Sequence, residues 1–146
     1  MPAIVRNLAI IAAAAGMACL ADAHSDVLDL FASMTSKLSD DNAAGFMDGF
    51  DKSMPDYGKL REWIAGLIAQ AEVSSTIESI KDEGDETKRS VDLDWTIQIR
   101  SREASGPLVE RQQTVHAELV KQKKRWRIVS IAPLDFFEPA KFSPSK

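Results

Sequence analysis

Alternation of apolar and polar residues dominates the second half of the chain and most constrains its fold. In the clearest case, from Val91 to Arg100, Val, Leu, Trp, Ile and Ile alternate with Asp, Asp, Thr, Gln and Arg. A period of two is typical of a β-strand with one face in the core and the other in solvent. Similar runs begin near Glu72, Leu108 and Arg125, and turn residues separate them. We therefore predict four antiparallel strands joined by hairpins.

The first half of the chain has the helical period instead. Three segments carry apolar residues at three- and four-residue steps, starting near Val27, Ala43 and Leu60. The third has the most continuous stripe, made of Leu60, Trp63, Ile64, Leu67, Ile68 and Ala71. Helices and strands in separate blocks predict an α+β domain, with N-terminal helices packed on a strongly curved four-stranded antiparallel sheet.

The first 23 residues have the features of a secretory signal peptide. Arg6 supplies the positive charge, residues 8–20 are uninterruptedly apolar, and Ala21-Asp22-Ala23 offers small residues for signal peptidase. We predict a signal peptide over 1–23, cleavage before His24, and a single domain over 24–146. The apolar run is shorter than a membrane-spanning helix needs. The protein is therefore expected to be exported, periplasmic or secreted, without stable membrane insertion after cleavage.

Cys19 raises the question of a lipid anchor. A lipoprotein signal needs a Leu-like residue three positions before the cysteine, and Gly16 stands there. Lipidation at Cys19 is therefore not expected.

Net charge and motif content exclude several function classes. The 146 residues carry a formal charge of −4, whereas nucleic-acid binding needs a concentrated basic surface. We find no Gly-rich phosphate loop, nucleophile elbow or His/Cys metal cluster. No nucleic-acid partner, cofactor, metal site or catalytic residue is predicted.

The fourth strand is apolar on both faces through Ile128-Val129-Ser130-Ile131. An antiparallel sheet with one wet face should alternate instead. We predict that Val129 and Ile131 lie on the outer face and that a second copy of the sheet covers them in a homodimer. The alternative is a pair of exposed aliphatic residues, which proteins tolerate.

Arg111 and Gln113 interrupt the apolar face of the third strand, where alternation places them beside Val109 and Val115. Polar groups on an inward face need partners or a solvated cavity. One interpretation is a ligand cavity in which Trp63 and Trp95 form apolar walls and Arg111 attracts an anionic group. The alternatives are a bulge after Pro107 that turns this end outward, and tryptophans that belong to the plain core.

His116, Asp92 and Asp94 are predicted to lie on the outer face of the sheet. By alternation, His116 falls on the face of Thr114 and Glu118, and the two aspartates on the face of Thr96. A general base needs a dry pocket. Solvent or the dimer contact is therefore favoured over catalysis for His116. For the two aspartates a solvated face is favoured over an acid/base pair or a cation site.

The end of the chain carries a family resemblance, in Lys124-Arg125-Trp126-Arg127-Ile128-Val129-Ser130-Ile131 and Pro133-Leu134-Asp135-Phe136-Phe137. With the order of elements, these segments resemble the nuclear transport factor 2-like superfamily, particularly small exported uncharacterised bacterial members. The resemblance covers Ser25 to Pro139 and implies a cone-like, cystatin-like roll whose members commonly pair through their sheets.

The superfamily includes ketosteroid isomerases, cyclases and dehydratases beside proteins that only bind, so the resemblance implies no single activity. Its enzymes use an Asp or a His–Asp pair inside the cone, and no local motif here matches those.

We therefore expect a non-catalytic module that binds a small hydrophobic ligand or a protein partner. The alternative is a lyase, isomerase or hydrolase acting on a small hydrophobic compound in the cone cavity, with Arg111 as oxyanion partner. A third hypothesis, a purely structural dimer, would show as a cone filled by side chains.

Overall fold

A single antiparallel sheet forms the second half of the domain in the computed structural model, which describes residues 22–103 and 106–142. Its four strands follow one another in sheet order, each hydrogen-bonded to the next along the chain. They are β1 (Ala71–Gly84), β2 (Lys88–Ser101), β3 (Leu108–Gln122) and β4 (Arg125–Ala132). The predicted α+β architecture with four antiparallel strands is confirmed.

Helices precede the sheet, and a short 3-10 turn follows it. They are α1, described over 22–39, α2 (Ala43–Met47), α3 (Tyr57–Gln70) and η1 (Leu134–Phe137). Helix α1 buries Val27, Phe31, Met34 and Leu38, and α3 buries Leu60, Ile64 and Leu67. The three- and four-residue steps therefore report the core-facing sides correctly. Among the described residues, no helix is both long and apolar enough to cross a bilayer.

The core lies between these helices and the inner face of the sheet. Strand β2 contributes the alternating set Val91, Leu93, Trp95, Ile97 and Ile99, each at most 1% exposed. Asp92, Asp94 and Thr96 stand on the opposite, partly exposed face. The register predicted from the alternation of β2 is thus confirmed, with the tryptophan inside and the aspartates outside.

A β-bulge in β4 corrects the predicted outward position of Ile131. Glu118 of β3 pairs with Ser130, but the next residue, Leu119, pairs with Ile128, so that Val129 is the extra residue. A bulge reverses the facing of everything beyond it. Ile131 therefore lies opposite Ala117 on the inner face and is only 7% exposed, while Val129 stays half-buried. The prediction for Ile131 is wrong, and the homodimer remains a prediction without that residue.

A second bulge interrupts β1. Ser79 pairs with Leu93 and Lys81 with Asp92, so Ile80 has no partner and is 58% exposed. Beyond the bulge, Asp82 pairs with Val91 on the inner face. This shift places a carboxylate inside the sheet.

Candidate functional site

Arg111 and Gln113 lie where strict alternation places them. They pair with Ile97 and Trp95 of β2, and the β2–β3 register continues without a shift down to Leu108. The alternative of a bulge after Pro107 is therefore wrong, and Arg111 shares the inward face with the buried Val115.

Trp95 lies at the centre of an aromatic cluster. Its ring centroid is 5.1 Å from that of Phe137, 6.1 Å from Phe136, 6.2 Å from Phe31 and 6.5 Å from Phe46. The pairs with Phe31, Phe136 and Phe137 have the edge-to-face geometry that aromatic rings prefer. Trp95 is fully buried. The space between the sheet and the helices is thus filled by rings at this point.

Arg111 holds the C-terminal segment against the sheet. Its guanidinium donates to the backbone carbonyl of Phe136 at 2.9 Å and to that of Glu138. Burial lowers the pKa of Arg111 from its ordinary value, although the carboxylates of Glu138 and Asp135 raise it. The guanidinium remains a cation, because no such shift brings an arginine near neutral pH. The guanidinium therefore donates to backbone carbonyls of its own chain. This geometry does not support Arg111 as the oxyanion partner of the enzymatic alternative.

Trp63 and Gln113 stand apart from this cluster. Trp63 lies half-buried on α3, and the ammonium of Lys59 is 4.6 Å from its ring centroid, a cation–π contact. Gln113 is exposed. The four predicted cavity residues therefore do not converge on one pocket.

His116 lies on the outer face of the sheet, as predicted. Its Nδ1 is 2.6 Å from Asp92 Oδ1, and its Nε2 is 2.9 Å from Glu118 Oε1. Hydrogen bonds to Glu118 and then to Asp92 raise the pKa of the imidazole. The hydroxyl of Ser90 is 3.3 Å from Nε2, but the ring is 45% exposed and Glu118 competes for the same nitrogen. This arrangement stabilises the imidazolium and so opposes general-base action.

A buried ionic cluster inside the sheet escaped the sequence analysis. Arg89 Nε donates to Asp82 Oδ1 at 2.6 Å, with side chains only 7% and 4% exposed. His24 of α1 contacts the other oxygen of Asp82 through Nδ1. The missed signal is the β1 bulge, because without it Asp82 reads as part of an exposed acidic turn.

A groove on the outside of the helical layer has the composition of a ligand site. It lies between α2, α3 and β4 and has a volume of about 360 Å³. We name it the basic groove and define it by Ala43, Ala44, Met47, Asp48, Phe50, Lys52, Tyr57, Arg61, Ala65 and Arg127. We call the six alanine, methionine and aromatic residues of this list the floor, and the other four side chains are charged.

Backbone pairing with the sheet fixes one wall of the groove. Phe50 forms a parallel bridge with Ile128 of β4. The N–H of Ile128 donates to Gly49 O at 2.9 Å, and the N–H of Asp51 donates to Ile128 O at 2.8 Å. A side chain at Gly49 would place its Cβ 2.6 Å from the sulfur of Met34, so only glycine fits without rearrangement. The segment that carries Asp48, Phe50 and Lys52 is thus pre-organised.

The charged residues that line the groove are mostly cations. The carboxylate of Asp48 accepts a hydrogen bond from Arg125 at 3.0 Å and lies 3.7 Å from the guanidinium of Arg127. The backbone carbonyl of Asp48 also accepts a hydrogen bond from Arg127. The hydrogen bond from Arg125, with the charges of Arg127 and Lys52, keeps the pKa of this carboxyl low. Within the described part of the chain, neither Lys52 nor Arg61 has an acidic partner within 4.0 Å. Three cations and one carboxylate leave a net positive lining.

Two other depressions are lined by fewer apolar side chains. One of about 480 Å³ lies at the β1–β2 hairpin, with Glu83, Asp85 and Glu118 among its lining residues. Another of about 320 Å³ lies at the end of α1, beside Glu72 and Arg100. We regard the basic groove as the candidate site because its lining combines six apolar or aromatic residues with four charged ones.

Comparisons with known proteins identify the fold. No family model matches the chain, and no curated protein matches it. A candidate scytalone dehydratase from Novosphingobium aromaticivorans matches with a TM-score of 0.66 and 12% identity, covering 74% of this chain and 80% of its own.

Two further solved structures point the same way. A nuclear transport factor 2-like superfamily protein from Salmonella enterica has a TM-score of 0.60 and 11% identity, covering 83% of this chain and 94% of its own. A protein of unknown function with a cystatin-like fold from Nostoc punctiforme has a TM-score of 0.57 and 11% identity, covering 74% and 86%. Identities this low establish the fold alone. The protein has the nuclear transport factor 2-like fold.

Proposed function

We propose that the protein is an exported, non-catalytic module that binds a small hydrophobic molecule in the basic groove. The observation that carries this proposal is the groove itself, about 360 Å³ in volume with Met47, Phe50 and Tyr57 among its lining residues. Small-molecule sites are concave, mostly apolar, and about 300–1,000 Å³ in size.

The dimensions of the groove favour a small molecule over a protein segment. Helix α2, which forms one wall, has five residues and spans little more than one turn. A partner helix binds through apolar contacts repeated over two turns or more. Four of the ten lining residues of the groove are charged, which suits a small molecule better than the apolar face of a helix.

The chemistry of the groove favours binding over catalysis. Its carboxylate, Asp48, is held by two arginines, and its pKa is lowered, which makes it a poor base. The alternative function, a lyase, isomerase or hydrolase, relied on Arg111 inside the cone. That guanidinium donates to the carbonyls of Phe136 and Glu138 instead.

The filled interior around Trp95 is what a purely structural protein would show. A ligand site on the outside of the helices is compatible with it, because the groove uses none of those rings. The proposed ligand site is therefore the groove and not the interior of the cone.

Export is supported by the sequence of residues 1–23. Arg6, the apolar run over 8–20 and the small residues Ala21-Asp22-Ala23 have the order of a cleaved signal. Residues 1–21 lie outside the described part of the chain. The proposal of export therefore depends on the sequence pattern.

Binding of the neutral apolar dye Nile red tests the function. Ala65 and Ala69 are both exposed on α3, but only Ala65 lines the groove. We expect Ala65→Trp to fill the groove and to weaken dye binding at least about tenfold. Ala69→Trp, which adds the same side chain to the same helix, should leave binding unchanged. Equal binding by the two variants, or no dye binding by the unaltered protein, would contradict the proposal.

A further inference from the structure

We infer that the natural ligand of the basic groove is an amphipathic carboxylate, whose apolar tail lies on the groove floor and whose carboxylate lies between Lys52 and Arg61. This inference rests on the proposed function and adds the chemical class of the ligand. It starts from a contrast in charge. The whole chain has a formal charge of −4, yet the groove is lined by three cations and one carboxylate.

The single carboxylate of the lining is already neutralised. Asp48 accepts from Arg125, which lies outside the lining, and it also contacts Arg127. Its hydrogen bond and its ion-pair contacts are therefore to arginines, while Lys52 acts on it only through its charge. Lys52 and Arg61 have no acidic partner within 4.0 Å among residues 22–103 and 106–142. Both are lining residues of the groove, and neither is in an ion pair with another described residue.

The position of the cations beside apolar surface determines what kind of anion fits. Phosphate or sulfate alone would gain nothing from the floor, whose more exposed members include Ala44, Tyr57 and Ala65. A neutral apolar molecule would bury the floor but leave the two cations unused. An apolar tail with one carboxylate uses both, and the planar guanidinium of Arg61 can bind a carboxylate through two parallel hydrogen bonds.

Competition against Nile red with a matched pair of probes tests the inference. Octanoate and 1-octanol have the same tail length and differ in the charge of the head group. We expect octanoate to displace the dye at a concentration about tenfold lower than 1-octanol, because charge-assisted hydrogen bonds are stronger than neutral ones. Added salt should weaken the binding of octanoate and leave the binding of 1-octanol unchanged.

Charge-removing variants locate the head group. Arg61→Gln and Lys52→Gln should each weaken the binding of octanoate by about tenfold and leave the binding of 1-octanol unchanged. Lys59→Gln removes the same charge from the exposed side of α3, two residues from Arg61 but outside the groove lining. It should bind octanoate like the unaltered protein.

The outcomes separate this inference from the function beneath it. Displacement by both probes at equal concentrations would overturn the carboxylate and leave the hydrophobic site standing. Stronger octanoate binding that neither Arg61→Gln nor Lys52→Gln reduces would also overturn it, since the head group would then lie elsewhere. Absence of dye binding in the unaltered protein would refute the proposed function itself.

Discussion

Arg89 and Asp82 show how much one buried charge pair depends on both partners. Their side chains lie inside the sheet, and His24 joins them from α1. Taking either charge out of water is costly, and the pair is tolerated because each ion neutralises the other. The cluster therefore ties the start of α1 to the end of the β1–β2 hairpin.

Removal of one partner should destabilise the fold strongly. We expect Arg89→Met to lower the free energy of unfolding by about 3–5 kcal/mol, because Asp82 would remain buried without its cation. The double variant with Asp82→Asn should lose less than Arg89→Met alone. Urea unfolding of the single and double variants measures both values. If the two changes simply added, the pair would not be coupled and its structural role would be refuted.

Alternation in the sequence predicts which face of the sheet a side chain lies on, but it does not predict which groups that side chain contacts. The facing of Trp95, Asp92 and His116 follows from alternation, and the structure agrees. The partners of Arg111 could not be read from the sequence, because they are backbone carbonyls of a segment about 25 residues away.

The bulges are the main feature at the scale of the secondary-structure elements. Each inserts one residue, Ile80 in β1 and Val129 in β4, and each reverses the facing of the residues that follow. Period-two reasoning assumes an unbroken register, so it fails past such an insertion. This is why alternation predicts the wrong face for Ile131, whereas the facing of the uninterrupted β2 is predicted correctly.

Two conservative truncations on β4 test the bulge. Ile131 is 7% exposed on the inner face, whereas Val129 is half-buried and lacks a cross-strand partner. We expect Ile131→Ala to lower the free energy of unfolding by about 2–5 kcal/mol. Val129→Ala should cost less than about 1 kcal/mol, because it leaves no cavity in the core. Chemical denaturation measures both free energies of unfolding. Equal losses for the two variants would contradict the bulge and favour an unbroken register.

For the whole molecule, the order of elements was predictable and the location of the site was not. The sequence pattern of helices followed by hairpin-linked strands, together with the motif near Trp126, predicts this fold. The basic groove draws its residues from α2, the segment between α2 and α3, α3 itself, and the distant strand β4. The motif in β4 indicates the fold and not a site, and we find no motif in α2 or α3, so only the packed structure brings Arg61 and Arg127 to one groove.

Native mass spectrometry of the protein recovered after expression of the full chain tests its processing and assembly. We expect a chain that begins at His24, because Ala21-Asp22-Ala23 presents the small residues that signal peptidase cuts after. We also expect a two-copy species, through the outer face of the sheet that carries Val129. Val129→Asp would shift that species to one copy, since like charges would then face each other. An uncut chain would contradict export, and a single-copy mass would contradict the homodimer.

The aromatic cluster around Trp95 has a consequence for how this protein can be altered. The rings of Phe136 and Phe137 occupy the interior, while Lys52, Arg61 and Ala65 stand exposed on the exterior of the helices. Changes of charge or size at those exposed positions leave the interior rings in place. In the proposed groove, substitutions at Lys52 and Arg61 are therefore expected to change binding while the free energy of unfolding stays nearly unchanged.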